Sequence, residues 1–126
     1  MSHTFNFEGI DHVQLAAPAG CEEAARNFYG KLLGWKEIEK PVALRQRGGV
    51  WFQCGMHEVH IGVQADFVPA TKAHPGFQVA GLDQLRNHLL MHKQNITDDN
   101  ERLEEGVKRF FIKDPFGNRV EFLEYM

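Results

Sequence analysis

The feature that most limits how this chain can fold is an order of predicted elements that occurs twice. Hydrophobic periodicity and turn residues indicate a strand, a helix and three more strands in residues 8–65, and the same order in residues 73–126. Modules of about 60 residues are too small to bury a good core alone, so the two are expected to pair. The chain of 126 residues is therefore predicted to be a single α+β domain built from two βαβββ modules.

The helix of each module is predicted from apolar residues that share one face. These lie at positions 24, 25, 28, 32 and 33 of a helix over residues 21–33, and at 82, 85, 89 and 90 of a helix over residues 82–92. Gly34 follows the first stripe, where a helix commonly ends. The predicted strands are 10–17, 35–39, 50–54 and 58–64 in the first module and 74–80, 95–98, 107–113 and 119–125 in the second.

Four residues of metal-binding type occupy matching positions in the two modules. His12 and His74 lie on the first predicted strand of each module, 62 residues apart, and His60 and Glu121 lie on the last, 61 residues apart. Because side chains alternate along a strand, each of the four is expected opposite the apolar residues of its own strand. If the helices cover the apolar faces, all four point into one concave, half-polar face. Asp11 is expected to face the helices and not to orient His12.

Three imidazoles and a carboxylate are a ligand set typical of a divalent transition metal, namely Fe, Mn, Co, Ni or Zn. Two histidines and one carboxylate with open coordination positions also occur in non-haem iron enzymes. A single histidine on a strand is more often a hydrogen-bonded core or surface residue. The occurrence of four such residues in matching positions favours a metal site over that alternative.

Three segments resemble the vicinal oxygen chelate superfamily, which includes glyoxalases, fosfomycin-resistance and bleomycin-resistance proteins and extradiol dioxygenases. They are residues 10–13 (Ile-Asp-His-Val), residues 25–35 with their Phe-Tyr and Leu-Gly pairs, and residues 114–122 (Asp-Pro-Phe-Gly-Asn-Arg-Val-Glu-Phe). Together with His74 they extend over nearly the whole chain, and the last segment is the most specific. Family members fold two βαβββ modules into a curved mixed sheet around a cleft, with the helices on the outer face. A metal at the cleft floor chelates vicinal oxygens of the substrate.

The resemblance implies a role for each of the four residues. His12, His74 and Glu121 match the metal triad of the fosfomycin-resistance and dioxygenase branches. His60 lies where bacterial glyoxalases place a fourth ligand, usually Glu, and it is expected to be a fourth ligand, an acid/base group or a plain cleft residue. The implied function is that of a metal-dependent glyoxalase-like enzyme acting on a small oxygen-rich molecule, with its reaction type open between lyase, isomerase, transferase and dioxygenase. Bleomycin-binding relatives have this fold without metal, so a metal-free small-molecule or antibiotic-binding protein is the alternative.

Residues that bind the substrate are predicted near the strands of the cleft. Arg45, Arg47 and Lys72 flank these strands, where a guanidinium can bind a carboxylate or phosphate with two hydrogen bonds. Solvated surface cations are the alternative. Trp51 and Phe111 are expected to line the cleft, and a place in the core is the alternative for both.

The segment Asp-Pro-Phe-Gly-Asn at residues 114–118 is predicted to be a turn with a structural role. Proline, glycine and asparagine each suit the backbone conformations that a tight turn requires. The turn sets the register of the last two strands, and a slip by one residue would move Glu121 to the apolar face.

Charge and composition argue against several kinds of partner. A formal net charge of -3 lacks the basic character of a nucleic-acid-binding protein. No apolar stretch approaches the length of about 18 residues that spans a membrane, and the first eight residues lack the cationic and apolar regions of a secretory signal. Two cysteines make no disulfide framework, which favours a reduced, cytoplasmic protein. We expect a homodimer, in which the modules pair within one chain or are exchanged between two.

Overall fold

The structure, a computed structural model, describes residues 4–126, which form two four-stranded sheets with a helix in each module. The first module contains β1 (His12–Ala17), α1 (Glu22–Ala25) continued by a π-helix (Arg26–Leu32), β2 (Lys36–Ile38), β3 (Val50–Cys54) and β4 (His57–Val63). The second contains β5 (Gly76–Gln78), α2 (Leu82–Met91), β6 (Thr97–Asp99), β7 (Val107–Lys113) and β8 (Arg119–Tyr125). Short 3₁₀ helices at Val42–Arg47 and Leu103–Glu105 complete the elements. The prediction that the first eight residues are no secretory signal falls partly on residues 1–3, which lie outside the described range.

Both sheets have the same topology. Their strand orders are β1-β4-β3-β2 and β5-β8-β7-β6, so the last strand of each module lies inside its sheet. In each sheet the first strand runs parallel to the last, and the other neighbours are antiparallel. A parallel pair needs a long crossover between its strands, and the helix with the two intervening strands supplies it. The predicted α+β fold of two βαβββ modules is confirmed, with each module forming its own mixed sheet.

The first helix differs from the α-helix predicted for residues 21–33. Only Glu22–Ala25 is α-helical, and Arg26–Leu32 widens to a π-helix. The Leu33 N–H donates to the carbonyl of Phe28, five residues earlier, at 3.0 Å. Phe28 and its neighbour Tyr29 are both buried. The spacing of apolar residues does not distinguish α-helical hydrogen bonds, four residues apart, from π-helical ones, five residues apart, over a single turn. The sequence therefore predicts a helix here but not its type.

Strand β5 is shorter than the predicted range of 74–80, and it begins after His74. Pro75 separates His74 from the strand because a proline has no N–H to donate to a neighbour. The carbonyl of Pro75 still accepts a hydrogen bond from the Glu121 N–H at 3.0 Å. His74 therefore remains beside β8, but it lies on a loop, which corrects the prediction that it belongs to a strand.

Helix α2 matches its predicted range to within one residue. At its N-terminus the N–H groups of Leu82 and Gly81 donate to the Glu124 carboxylate at 2.9 and 3.1 Å. These hydrogen bonds lower the pKa of Glu124, the bond from Leu82 most. A carboxylate of the last strand thus caps the helix and interacts favourably with its dipole. Within residues 4–126, no helix combines the length and the hydrophobicity needed to cross a bilayer.

One hydrophobic core is shared by both modules. It contains buried residues of the first helix, of β3 and β4, of α2 and of β7 and β8. Trp35 of the first module packs edge-on against Phe77 of the second, with 5.0 Å between the ring centroids. His88 of α2 lies with Nε2 at 2.8 Å from the carbonyl oxygen of Leu32. The two modules therefore pair within the chain through their apolar layers.

The turn between β7 and β8 also joins the modules. Its buried Asp114 carboxylate accepts a hydrogen bond from the Tyr29 hydroxyl at 2.6 Å and from the side-chain and backbone N–H groups of Asn118 at 2.9 and 2.8 Å. The Asn118 side chain also donates to the carbonyl of Ala16 at 2.8 Å. Gly117 has a φ of 91°, which favours glycine. These contacts agree with the structural role predicted for the turn.

Candidate functional site

The strand register gives two pairs of candidate ligands, His12 with His60 on one sheet and His74 with Glu121 on the other. His60 lies beside Gln14 in the register of β1 and β4, and Glu121 lies beside Gly76 in the register of β5 and β8. The histidine that completes each pair comes two residues before Gln14 or Gly76. The matching positions predicted from the spacing are therefore present in the register.

His74 and Glu121 are in direct contact. His74 Nε2 lies 2.8 Å from Glu121 Oε1, and its Nδ1–H donates to the carbonyl of Lys72 at 2.8 Å. The Glu121 side chain is only 6% exposed. Because the Lys72 carbonyl takes the Nδ1 proton, Nε2 is the ring atom that can share a proton with Glu121 or offer its lone pair to a metal.

Arg109 holds the second oxygen of the same carboxylate. Its Nη1 lies 3.5 Å from Glu121 Oε2, and its Nε lies 3.2 Å from Asp99 Oδ1. The Nε atom is buried, and the Asp99 oxygen meets it at ion-pair distance without hydrogen-bond geometry. A buried carboxylate loses its hydration, and an ion pair can compensate for that loss. Arg109 supplies this ion pair at Oε2, whereas His74 contacts Oε1.

On the other sheet, His60 lies in a stack of three rings. Its ring centroid lies 3.6 Å from that of Trp51, with 2° between the planes, and 4.3 Å from that of His12, with 17° between the planes. Trp51 is the partner of His60 in the register of β3 and β4, so the two neighbours stack on opposite faces of the imidazole. The in-plane lone pairs of two stacked rings lie in two separate, nearly parallel planes, so one ion does not lie in both planes. His12 and His60 therefore bind one ion together only if one ring turns.

Each histidine of this pair also contacts a carboxylate. His12 Nδ1 lies 2.9 Å from Asp11 Oδ2, and His60 Nε2 lies 2.9 Å from Glu58 Oε1. The expectation that Asp11 faces the helices is wrong, because Asp11 precedes β1, where side-chain alternation does not yet apply. Within residues 4–126, His12 Nε2 and His60 Nδ1 have no hydrogen-bond partner.

The two pairs do not form one cluster within a chain. Among residues 4–126, no three His, Cys, Asp or Glu side chains come close enough to hold one metal ion. Within one chain the four residues therefore do not form a single cluster, although each pair shares a face of its own sheet, and a site that contains all of them stays a prediction. The reason is that the register pairs residues within a module, while the modules meet through their apolar layers.

The donor chemistry of the His74–Glu121 pair, and that of His12, nevertheless fit a metal. The 2.8 Å between His74 Nε2 and Glu121 Oε1 is close to the separation of about 3 Å between two atoms that each bind one ion at about 2.1 Å. In His12 and in His74 the Nδ1 atom is engaged, which is the usual arrangement for an imidazole that binds a metal through Nε2. The four predicted ligands thus lie in two separate halves, one on each sheet.

The two predicted aromatic residues lie on the faces of these halves. Trp51 stacks on His60, and Phe111 lies edge-on to His74 with 5.1 Å between the ring centroids. Phe111 is the partner of Glu121 in the register of β7 and β8, just as Trp51 is the partner of His60. Each half therefore has one aromatic wall.

The three predicted cations are placed differently. Arg47 lines a cavity of about 240 Å³ together with Trp51. Arg45 is exposed, pairs with the Glu39 carboxylate at 3.2 Å and lines a separate cavity of about 400 Å³ that also includes Trp51. Lys72 contributes its carbonyl oxygen to His74.

Sequence reasoning missed three residues of these faces. Arg109 and Arg119 share their strand faces with Phe111 and Glu121, and counting back by two from these residues identifies both. Gln14 was given no role because its contacts are with β4, and the sequence does not tell which strand lies beside β1. A Cβ atom added at Gly62 would lie 2.5 Å from Gln14 Nε2, so the glycine leaves room for that amide.

The sequence matches a family model, that of the Glyoxalase/Bleomycin resistance protein/Dioxygenase superfamily, over residues 9–122. The match includes all four candidate ligands and both aromatic walls. No curated protein matches the sequence.

Solved structures extend the comparison. A glyoxalase family protein from Bacillus anthracis is 49% identical, with a TM-score of 0.94, over 98% of this chain and 100% of that one. A lactoylglutathione lyase from Agrobacterium tumefaciens is 21% identical, with a TM-score of 0.72 and 93% of each chain covered. A glyoxalase/dioxygenase from Nostoc punctiforme is 18% identical, with a TM-score of 0.76, over 100% of this chain and 97% of that one. The last two similarities concern the fold alone.

Proposed function

Because the chain belongs to the Glyoxalase/Bleomycin resistance protein/Dioxygenase superfamily, we propose that it is a metal-dependent enzyme acting on a small oxygen-rich molecule. The observation that carries the proposal is the contact between His74 and Glu121. A nitrogen and an oxygen of ligand type lie 2.8 Å apart, and the Lys72 carbonyl holds the imidazole in the tautomer that binds metals through Nε2.

In this proposal His74 and Glu121 of one protomer and His12 of its partner hold one divalent ion, which is Fe, Mn, Co, Ni or Zn. A metal bound there acts as a Lewis acid on the substrate oxygens. Arg109 keeps the outer carboxylate oxygen of Glu121 neutralised, so that Oε1 is the ligand atom. Phe111 covers the pair on the side of β7 and limits the access of water.

His60 is proposed to be the acid/base group. Its ring is held between His12 and Trp51, and its Nε2–H donates to Glu58. That carboxylate orients the imidazole and stabilises the positive charge that forms when Nδ1 takes a proton from the substrate. The side chain of His60 is only 5% exposed, so bulk water has little access to the imidazole and competes little with the substrate for its proton site.

The decisive measurement is elemental analysis of protein purified without chelator or affinity tag, followed by titration with each of the five metals at neutral pH. We expect one ion per chain. His74→Ala and Glu121→Gln should each weaken binding by at least about tenfold, because each removes a ligand. His57→Ala is the matched control, since His57 is exposed on β4 and belongs to neither pair. Wild-type protein that binds none of the metals would contradict the proposal and favour a metal-free binding protein.

We further predict that the chain is a dimer in solution. The segment that leads into His12 carries Phe7 and Ile10 with exposures of 93% and 66%, an arrangement that a second chain would cover. A dimer also joins the two halves of the ligand set. Sedimentation at micromolar concentration should give twice the chain mass of 14.4 kDa. A species of single-chain mass under these conditions would contradict the prediction.

A further inference from the structure

A second polar feature lies beside the His74–Glu121 pair. It is a cavity of about 550 Å³ next to β7, and its lining includes Lys93, Lys113, Arg119 and Phe111. Hydroxyl and amide side chains, among them Thr71 and Asn95, also line it, and Ile112 and Asp114 complete the wall. This lining of cations, hydroxyls, amides and one aromatic ring differs from the apolar lining of most small-molecule pockets.

The cations of this cavity form no ion pair in the described part of the chain, although the Asp99 carboxylate interacts with Arg119 at longer range. Within residues 4–126, no carboxylate lies at ion-pair distance from Lys93, Lys113 or Arg119. Asp114 also lines the cavity, but its carboxylate is buried and accepts hydrogen bonds from Tyr29 and from its own turn. The chain as a whole carries a formal net charge of -3, so this local excess of positive charge runs against the overall balance.

Arg119 is held so that its guanidinium can bind a planar or tetrahedral anion. The Cζ atom lies 4.0 Å from the centroid of the Phe111 ring, at cation–π distance. Its Nη1 lies 3.4 Å from the Lys72 carbonyl and 3.4 Å from His74 Nδ1. In the described part of the chain, Nε and Nη2 have no hydrogen-bond partner. A guanidinium fixed on an aromatic ring, with two donors left, is the arrangement that binds carboxylate and phosphate groups with two hydrogen bonds.

The position of Arg119 connects the cavity to the proposed metal half-site. The same His74 ring that approaches Arg119 through Nδ1 contacts Glu121 through Nε2. We propose that the cavity binds an oxyanion group, phosphate or carboxylate, of the small molecule whose oxygens reach His74 and Glu121. Its identity as a substrate rests on the proposed function, whereas binding of the anion itself does not.

The experiment uses ¹⁵N-labelled, metal-free protein and two probes, inorganic phosphate and acetate, titrated at constant ionic strength with chloride as the balancing ion. Saturable shifts of amides around residues 93–97, 111–113 and 119 are expected with at least one probe. Arg119→Gln should raise the dissociation constant by at least about tenfold, and Lys113→Gln should raise it less, because the planar guanidinium donates two parallel hydrogen bonds to one oxyanion whereas the ammonium acts as a point charge. Lys36→Gln is the control, since it removes the same charge from an exposed position on β2.

Each outcome of this titration either supports or overturns the proposed anion site. Saturation by phosphate alone or by acetate alone supports the proposal and identifies the anion class. No saturation by either probe, or equal weakening in Lys36→Gln, overturns it even if the protein binds metal. Circular dichroism checks that Arg119→Gln is folded, and Lys113→Gln gives a second measurement if it is not. Anion binding in a wild-type protein that takes up no metal supports the anion site and overturns the proposed metal-dependent function instead.

Discussion

Replacing Asp114 by alanine is expected to lower the free energy of unfolding by about 3–5 kcal/mol. The carboxylate is buried and accepts hydrogen bonds from the Tyr29 hydroxyl and from two N–H groups of Asn118, so its removal leaves these donors without a partner. A domain of this size has a total stability of about 5–15 kcal/mol, so the variant loses a large part of it. Thermal denaturation should show a fall in Tm of about 10–20 °C.

The same change should also remove bound metal. The turn sets the register of β7 and β8, and Glu121 reaches His74 only in that register. Asp98→Ala is the control for stability, because Asp98 is half-exposed and pairs with Arg86 at the surface, where an ion pair contributes at most about 1 kcal/mol. Loss of metal from Asp114→Ala with unchanged stability would contradict a structural role for the turn.

The partner of Asp114 adds a dependence on pH. Burial, followed by the negative charge of Asp114, raises the pKa of Tyr29 well above its ordinary value of 10.0. Above that ordinary value the unfolded chain loses this proton while the folded chain keeps it, so unfolding becomes more favourable as pH rises. Tyr29→Phe should lower stability by about 1–2 kcal/mol at neutral pH and should flatten the alkaline part of the curve. Urea denaturation at pH values from 7 to 11 measures both effects, and an unchanged alkaline slope would contradict this account.

The periodicity of apolar residues along the sequence predicted the fold correctly. Alternation along each strand places His60 and Glu121 opposite the apolar layer. The register of the adjacent strands, which only the structure gives, makes Trp51 and Phe111 their partners. The prediction of side-chain direction from alternation fails beyond the ends of a strand. His74 and Asp11 lie outside β5 and β1, so the direction of their side chains depends on the loop. Pro75 was the available signal for His74, because a proline beside a strand interrupts its hydrogen bonds.

The other features that the sequence did not predict depend on tertiary contacts. The bond from Tyr29 to Asp114 joins residues 85 positions apart, and no local pattern predicts which buried hydroxyl meets which carboxylate. The division of the ligands into two halves has the same origin. Face parity tells on which side of a strand a residue lies, but it does not tell which sheets face each other, since this depends on how the apolar layers pack.

A mixture of two inactive variants is expected to recover metal binding if the site forms between chains. His12→Ala alone and Glu121→Ala alone should each bind little metal, because each dimer then lacks the same ligand in both of its sites. A mixed dimer contains one site in which both ligands are missing and one site in which all are present. With random pairing, mixed dimers are half of the population, so the metal content should return to about a quarter of the wild-type value per chain.

The control for this experiment is a mixture of His74→Ala with Glu121→Ala. These two residues are in contact within one chain, so every site of the mixed dimer lacks one of them and no metal should be recovered. The variants are co-expressed with two different removable tags, and the metal is measured after the tags are cleaved. The mixed species purified through both tags should contain about half of the wild-type metal per chain, because one of its two sites is complete. A mixture of His12→Ala with Glu121→Ala that recovers no more metal than the control would place all ligands in one chain. The close contact between His74 and Glu121 and its separation from His12 favour the shared site, since neither half alone provides three ligands in residues 4–126.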